Sequence, residues 1–415
     1  LGTGAVTDNA ALRFNRSDNI TISNAISGTG TLTQAGTGTT TLTGTNSYGA
    51  TTISAGTLQI GNGGTSGSLG TGAVTDNAAL RFNRSDSIAI SNAISGTGSL
   101  IQAGTGTVIL TGTNSYGATT ISAGTLQIGD GVTSGSLGGS VTNNATLYLK
   151  PFASFTLSNV ISGTGGIKVE SNVGYAVTLS GANTYTGPTD LLKGVLRTGV
   201  ASVTNADGVF VSGPFGINSA VTIQNAASTS LSLLHSAQIG SLSGGGVLNN
   251  GSVNLYGNTL TIGGDNTNST FDGVITDNWV AINPGTSPRG VLRKVGTGTL
   301  TLTGTNTYDG LTSITAGTLR AANSSALGAT SGGVTVANGA TLEIGGTTAP
   351  GNVAIGAEAL TIASGGTVHN VAGANTYAGA LTFTAPNAPA QGIYTITIDT
   401  GTSLNFTATG GSQVV

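Results

Sequence analysis

The sequence predicts an all-β solenoid, in which short parallel strands stack turn upon turn into one elongated domain. Three observations lead to this prediction. Residues 1–68 and 69–136 are identical at 60 of 68 positions, so the chain repeats at a fixed period. Each repeat contains short runs in which Thr alternates with aliphatic residues, a pattern typical of half-buried strands. Many of the 70 Gly residues end these runs, where tight turns between strands are needed.

The repeat unit is too long for a single solenoid turn. Strand-like runs form three groups, at residues 5–14, 20–32 and 39–60, which predict three turns of roughly 22 to 23 residues per repeat. The whole chain would then hold about 18 turns. The alternation predicts an inward-facing set, repeated in the later copies: Val6, Leu12, Ile20, Ile22, Leu42, Ile53, Leu58 and Ile60.

A short motif, G-[TA]-N-[ST]-Y, is retained in the diverged repeats better than any other stretch. It occurs five times, with spacings between the Asn residues of 68, 69, 123 and 69. We interpret it as a structural corner between two strand runs. Its Asn and Tyr residues are Asn46 and Tyr48, Asn114 and Tyr116, Asn183 and Tyr185, Asn306 and Tyr308, and Asn375 and Tyr377.

The motif spacing divides the chain into four parts. Residues 1–136 hold the two near-identical repeats, and residues 137–199 hold a third, diverged copy. Residues 200–290 break the pattern and are either irregular turns or an inserted loop. Residues 291–415 resume the pattern as a fourth and a fifth diverged copy.

Composition narrows the classes of partner. Charged residues make up 7% of the chain and the net charge is −3, so no basic stripe is available and nucleic acid is not expected as a partner. No apolar run reaches the ~20 residues of a membrane helix, so we expect no membrane insertion of this segment. The absence of cysteine fits a protein that crosses an oxidising compartment. The chain begins at the phase of an internal repeat boundary, which suggests a piece of a longer precursor.

The sequence contains few of the residues from which catalytic sites are built. The two His residues lie far apart, so neither a His-based metal site nor a Ser-His-Asp triad is expected. We predict no catalytic residue, no metal site and no cofactor. We expect His369 to occupy a corner or a buried polar position.

Residues 200–290 are the candidate recognition region, because irregular connections on a rigid scaffold often carry binding. The residues that we single out there are Trp279, Asp265, Asp272 and Asp277. The three carboxylates lie close enough in sequence to keep glycoside cleavage open as an alternative. A second candidate is a charged strip that recurs in both repeats, with Asp8, Arg13, Arg16 and Asp18 in the first copy. We favour the interpretation of that strip as surface ion pairs of little energetic weight.

Residues 296–320 read GTGTLTLTGTNTYDGLTSITAGTLR. This stretch, together with residues 36–60 and 104–128, resembles the passenger-associated transport repeat of bacterial autotransporters. Residues 173–197 carry a recognisable version, and the sequence around Gly373 a partial one. The resemblance implies a right-handed parallel β-helix exported to the surface of a Gram-negative cell, as an adhesin or a stalk. It supplies no catalytic residues.

The favoured function is therefore a cell-surface or extracellular structural protein, which acts as an adhesin, a stalk or a matrix component without catalysis. Its partner would be a host or matrix glycan or protein. An alternative is self-association, in which the ends or sides of the solenoid join and head-to-tail stacking forms a filament. A polysaccharide-processing enzyme is the third possibility.

Overall fold

A computed structural model describes residues 1–246, 250–277, 289–348, 351–384 and 392–408. These residues form a parallel β-solenoid, as the sequence predicts, with about 16 turns against the expected 18. They contain no α-helix, and so no helix that is long and apolar enough to cross a bilayer. The chain folds into two compact units: residues 1–177 with 184–187, and residues 178–183 with 188–415.

The first unit is built from parallel sheets whose strands come from successive turns. Sheet A consists of Ala11–Phe14, Thr31–Gln34, Thr51–Ile53, Val74–Asp76 and Ile94–Ser95. Sheet B consists of Ile20–Ile22, Thr39–Leu42, Thr57–Ile60, Ala79–Phe82, Ser99–Gln102, Ala118–Ile121, Ser140–Asn143 and Ile161–Ser162. Sheet C consists of Ile88–Ile90, Thr107–Leu110, Thr125–Ile128, Thr146–Leu149 and Gly166–Glu170. The remaining strands are Val6–Thr7, which pairs with Ile26–Ser27, and Phe155–Leu157.

The second unit has the same kind of architecture, with more variable turns. Sheet D consists of Thr189–Lys193, Val221–Ile223, Leu242–Gly244, Ser269–Phe271, Thr299–Leu302, Thr318–Ala321, Thr341–Ile344, Thr367–Asn370 and Thr395–Ile398. Sheet E consists of Val195–Thr198, Thr229–Ser232, Gly251–Asn254 and Val274–Thr276. Sheet F consists of Ala237–Ile239, Thr259–Ile262, Val291–Lys294, Thr312–Ile314, Val334–Val336, Leu360–Ala363 and Leu381–Thr384. Sheet G consists of Ala354–Ile355, Ala374–Tyr377 and Ser403–Phe406.

Ala176–Leu179 is one further strand. Within the described part of residues 200–290 the chain still makes parallel turns, as the strands of sheets D, E and F show. One excursion departs from them: Val203–Thr204 pairs antiparallel with Phe210–Ser212.

The turn length differs from the sequence prediction. In the first unit a residue pairs with a partner 18 to 23 positions later, as Thr40 with Leu58 and Thr51 with Val74 show. As a result, Ala11–Phe14 lies in sheet A, whereas its copy Ala79–Phe82 lies in sheet B. The 68-residue repeat therefore makes three turns and a third, and equivalent residues of the two copies sit on different faces.

Burial confirms the inward-facing set except at Val6, Leu12 and Ile20, which are only partly buried. Leu42, Leu58, Ile60 and the later copy Leu110 are completely buried. Leu12 is only partly buried, although its copy Leu80 is fully buried. The reason is position within the sheet, because Leu12 pairs with one neighbouring strand whereas Leu80 lies between two.

Glycine at the G-T-G corners is required by close approach between turns. A Cβ atom added to Gly36 would lie 2.0 Å from the carbonyl oxygen of Arg16, one turn earlier. The same addition at Gly104 would lie 2.1 Å from the carbonyl oxygen of Arg84. Neither contact leaves room for a side chain, since the obstructing atoms belong to the backbone.

Candidate functional site

The asparagine of the corner motif G-[TA]-N-[ST]-Y, which occurs five times, links successive turns. Asn46 accepts a hydrogen bond from the backbone N–H of Ile26 at 3.0 Å, one turn earlier. Its side-chain amide donates to the carbonyl of Ser68 at 2.7 Å, one turn later. Buried backbone groups that lack a strand partner at the corner are satisfied in this way. The other copies make corresponding bonds to neighbouring turns: Asn114, Asn183, Asn306 and Asn375.

The tyrosine of the same motif belongs to the core. All five copies are at most 2% exposed. The hydroxyl of Tyr308 lies 2.6 Å from Thr312 Oγ1, and Tyr116 accepts a hydrogen bond from Thr119 at 3.1 Å. Burial raises the pKa of Tyr116 to about 12. These contacts give the motif a structural role at the described corners.

A second buried polar position, which sequence reasoning missed, lies two residues before the G-T-G sequences at 36–38, 104–106 and 296–298. Gln34 donates from its amide to the carbonyls of Gly36 at 2.8 Å and Gly38 at 3.0 Å, and Gln102 does the same in the second copy. In the fourth copy the position is occupied by Lys294, which is 1% exposed. Its ammonium group donates to the carbonyls of Val295 at 2.6 Å and Gly296 at 3.0 Å. Burial lowers the pKa of Lys294 to about 8.

A third buried polar position carries a carboxylate in the second copy and an amide in the third. Asp76 is completely buried, and its Oδ1 accepts a hydrogen bond from Ala78 N at 3.1 Å. Its Oδ2 has no hydrogen-bond partner within the described residues. Burial raises the pKa of Asp76 to about 6. Asn143 occupies this position in the third copy, and its Nδ2 donates to the carbonyl of Gly166 at 2.9 Å.

The charged strip of the first two copies does not form one continuous surface. Asp8 and Asp76 point inward and are buried. Arg16 pairs with Asp18 at 2.6 Å, and Arg84 pairs with Asp86 at 2.7 Å. Because equivalent residues of the copies lie on different faces, the two ion pairs do not stack into a strip.

The candidate recognition residues of 200–290 are held in separate local contacts. Asp265 Oδ1 accepts hydrogen bonds from the backbone and side chain of Thr267, at 3.0 and 2.9 Å. Asp272 Oδ1 accepts a hydrogen bond from Thr303 at 2.6 Å. Trp279 lies outside the described residues.

Asp277 holds two backbone segments together. Its Oδ1 accepts from Gly257 N at 2.8 Å, and its Oδ2 accepts from Gly290 N at 2.5 Å. Burial, together with a hydrogen bond to Asp277, raises the pKa of Asp309. Asp265 therefore bonds within its own turn, whereas Asp272 and Asp277 bond to residues of neighbouring turns.

The outer face of sheet D carries a polar row that the sequence analysis did not identify. Neighbouring strands place Thr301 beside Arg320, Arg320 beside Glu343, and Glu343 beside His369. An open cleft of about 400 Å³ lies on this face. It is lined by Asn268, Ser269, Thr270, Thr299, Thr301, Arg320 and Glu343. The sequence signal that could have predicted this row is the similarity of the strands TLRA, TLEI and TVHN, whose third residue faces outward in each case.

His369 belongs to this row, so the expectation of a corner or buried position was wrong. Val368 faces the core and is completely buried, which turns the next residue outward. The His369 Nε2 atom lies 2.8 Å from Asp399 Oδ1, and its Nδ1 atom lies 3.9 Å from Glu343 Oε1. Among the described residues, no group of three or more His, Asp and Glu is arranged to hold a metal ion.

Comparison with known proteins places the repeats in a family. The model of the passenger-associated-transport-repeat matches residues 32–60, 100–128, 176–197 and 292–321. These ranges contain the asparagine corners at Asn46, Asn114, Asn183 and Asn306, whereas the corner at Asn375 lies outside them.

A curated relative extends the similarity over most of the chain. It is described as the adhesin BmaC autotransporter of Brucella suis biovar 1 (strain 1330), and it is 30% identical over 435 residues. The alignment covers 86% of this chain but only 12% of the relative. No solved structure matches the chain. The resemblance noted from the sequence is thereby confirmed, and an exported location at the cell surface or outside the cell follows from it.

Proposed function

Because this chain belongs to the exported passenger segments of bacterial autotransporters, we propose that it is an adhesive stalk that binds a host or matrix surface without catalysis. The carrying observation is the alignment of 86% of the chain with an autotransporter adhesin. The architecture supports the same role. Successive turns satisfy each other's backbone groups, and buried Asn residues brace the corners, so the solenoid presents its outer side chains on a stiff support.

The test is display of this chain on a non-adherent laboratory bacterium through a heterologous outer-membrane translocator. We expect more cells to adhere to an epithelial monolayer or to matrix-coated glass than with the translocator alone, at equal display measured by an epitope tag. A variant that lacks residues 1–68 should keep adhesion, because residues 69–136 supply nearly the same sequence. Adherence no greater than that of the empty translocator would contradict the proposal.

The two alternative functions predict different observations. A filament built by head-to-tail stacking would appear as long, uniform fibres in electron micrographs of the purified chain, whereas a stalk would appear as short particles. A polysaccharide-processing enzyme would turn over a glycan and lose that activity in Asp272→Asn and Asp277→Asn. The observed contacts of these two carboxylates, with Thr303 and with the backbone of Gly257 and Gly290, favour a structural role for them.

A further inference from the structure

One corner of the first unit exposes apolar side chains on three successive turns. Val132 is 76% exposed, Phe152 49%, Val173 63% and Tyr175 39%. The ring centroids of Phe152 and Tyr175 lie 6.4 Å apart, with an angle of 36° between the ring planes. We call these four residues the aromatic corner. Single exposed apolar side chains are common on protein surfaces, whereas a patch of several marks a candidate interaction site.

The two earlier repeats show that the fold does not require these side chains. Gly64 occupies the position of Val132 in the first copy, and Ser85 occupies the position of Phe152 in the second. The second copy's G-T-G corner at residues 104–106 is replaced in the third by S-N-V-G-Y at residues 171–175. The aromatic corner is therefore an addition to an existing scaffold, with Val132 near the end of the second copy and the other three residues where the third copy diverges.

The backbone that carries the aromatic corner is held in place. The Asn172 side-chain amide donates to the carbonyl of Gly131 at 3.1 Å and to that of Phe152 at 3.2 Å, so it ties three turns together. Asp130 Oδ1 accepts hydrogen bonds from Val132 N at 2.8 Å and from Thr133 N at 2.6 Å. A preorganised surface loses less conformational entropy when a ligand binds.

The charged groups beside the aromatic corner are Asp130, Lys150 and Glu170, and Lys150 forms an ion pair with Glu170. Lys150 Nζ lies 3.2 Å from Glu170 Oε1, and the Tyr148 hydroxyl donates to Glu170 Oε2. Lys150 and Glu170 are both partly exposed, with about 30% of each side chain accessible. A ligand whose hydroxyl groups both donate and accept can bond to the ammonium group and to the carboxylate of this pair, and it needs no charge of its own to do so.

The size of the patch favours a small ligand over a protein. Two half-exposed rings and two valines present on the order of 400 Å² of apolar surface. A stable protein interface buries about 800 Å² on each partner. One or two sugar rings fit the smaller area, because a pyranose has an apolar C–H face of the size of an aromatic ring and a rim of hydroxyl groups.

We propose that the aromatic corner binds a pyranose unit of a neutral oligosaccharide. The sugar stacks its C–H face on Phe152 and Tyr175, and its hydroxyl groups hydrogen-bond with Lys150 and Glu170. Convergent polar groups beside an apolar platform are the usual composition of small-ligand sites. This inference deepens the proposed adhesive function, since it names the class of partner and the residues that contact it.

The test uses the purified full chain and four neutral disaccharides: lactose, maltose, cellobiose and chitobiose. Saturation-transfer NMR detects contact, and calorimetric titration gives the dissociation constant. We expect at least one disaccharide to bind, with a loss of about ten-fold in affinity in Phe152→Ser and again in Tyr175→Ala. Ser85 shows that the first substitution suits the scaffold. Val209→Ser, at a valine that is 58% exposed in the second unit, is the matched control and should bind as the unmodified chain does.

The outcomes separate this inference from the proposed function. If no disaccharide binds, or if Phe152→Ser and Tyr175→Ala bind unchanged, the aromatic corner is not a sugar site, although displayed cells could still adhere. If the sugar binds but displayed cells do not adhere, the adhesive function fails and the site stands. If Phe152→Ser abolishes adhesion to periodate-treated and untreated surfaces alike, the corner binds a protein, and the sugar assignment is overturned.

Discussion

Replacement of Lys294 by Gln should stabilise the second unit. Glutamine is the residue that this corner already carries in the first two copies, where Gln34 and Gln102 donate to the same kind of carbonyl. The neutral amide would keep hydrogen bonds to the corner carbonyls and avoid burial of a charge. We therefore expect Lys294→Gln to raise the free energy of unfolding at pH 7.

The magnitude follows from the pKa of the ammonium group. Burial lowers the pKa of Lys294 from 10.5 to about 8, with the charge of Asp265 acting in the opposite direction. This difference corresponds to at most roughly 3 kcal/mol against the charged form. Between these two pH values the folded chain binds fewer protons than the unfolded chain, so stability should rise as the pH rises from about 8 to 10.5. Lys294→Gln should lack this rise.

The assay is thermal unfolding by scanning calorimetry at pH 7, 8, 9 and 10. Lys193→Gln removes an exposed lysine of the same unit and is the matched control, with an expected change within about 0.5 kcal/mol. Lys294→Met removes both the charge and the donors, and should be less stable than Lys294→Gln because the carbonyls of Val295 and Gly296 lose their partner. A Lys294→Gln chain that is less stable than the unmodified chain at pH 7, with the same pH dependence, would refute the reasoning.

Three further substitutions test other buried polar positions. Asp76→Asn should stabilise the first unit by up to about 3 kcal/mol above pH 6, because the buried carboxyl has a pKa of about 6. In the unmodified chain, stability should fall as the pH rises from about 4 to 6 and the carboxyl loses its proton. Chemical unfolding at pH 4 and 7 measures this difference in stability. Asn306→Ala should cost about 2 to 4 kcal/mol, since two buried backbone groups lose their partner, and hydrogen exchange around that corner reports the loss. Burial raises the pKa of Glu358, and its Oε2 has no partner among the described residues, so the unmodified chain should lose stability as the pH rises from about 4.5. Glu358→Gln should lack this loss, and melting temperatures measured across this pH range test the prediction.

Two of these changes, Asp76→Asn and Asn306→Ala, have a matched control. Asp18→Asn alters an exposed carboxylate of the first unit and should leave the free energy of unfolding nearly unchanged at either pH. Asn306→Asp keeps an oxygen to accept from Ile275 N, so it should protect that amide from exchange better than Ala does. Equal protection in the two Asn306 variants would show that the hydrogen bond from Ile275 contributes nothing. An Asp76→Asn chain less stable at pH 7 would rule out a burial penalty at that site.

The strand content and the inward residues could be read from the sequence because both follow from alternation. Burial of Leu42, Leu58 and Leu110 needs only a period of two and a hydrophobic interior. The turn length could not be read in this way. The repeat length gives the number of residues between equivalent sequence positions, which differs from the number of residues in one turn. Only the pairing of Thr40 with Leu58 and of Thr51 with Val74 shows the extra third of a turn.

Some of the candidate sites could likewise be predicted from the sequence, and others could not. The asparagine corners were found from the sequence because the motif is local and recurs. The row formed by Arg320, Glu343 and His369, and the pair formed by Phe152 and Tyr175, were not found, since their members come from different turns. Residues some 20 positions apart become neighbours only when the turn length is known, and each alone looks like an ordinary exposed residue.

The sequence by itself determined the solenoid class, the inward faces and the family, because these depend on patterns that repeat along one chain. The tertiary structure decided which faces the copies occupy, which polar side chains are buried at the corners, and which exposed residues meet. The physical reason is that backbone hydrogen bonds between turns set the register, and register alone brings Gly131, Phe152 and Asn172 together into one surface.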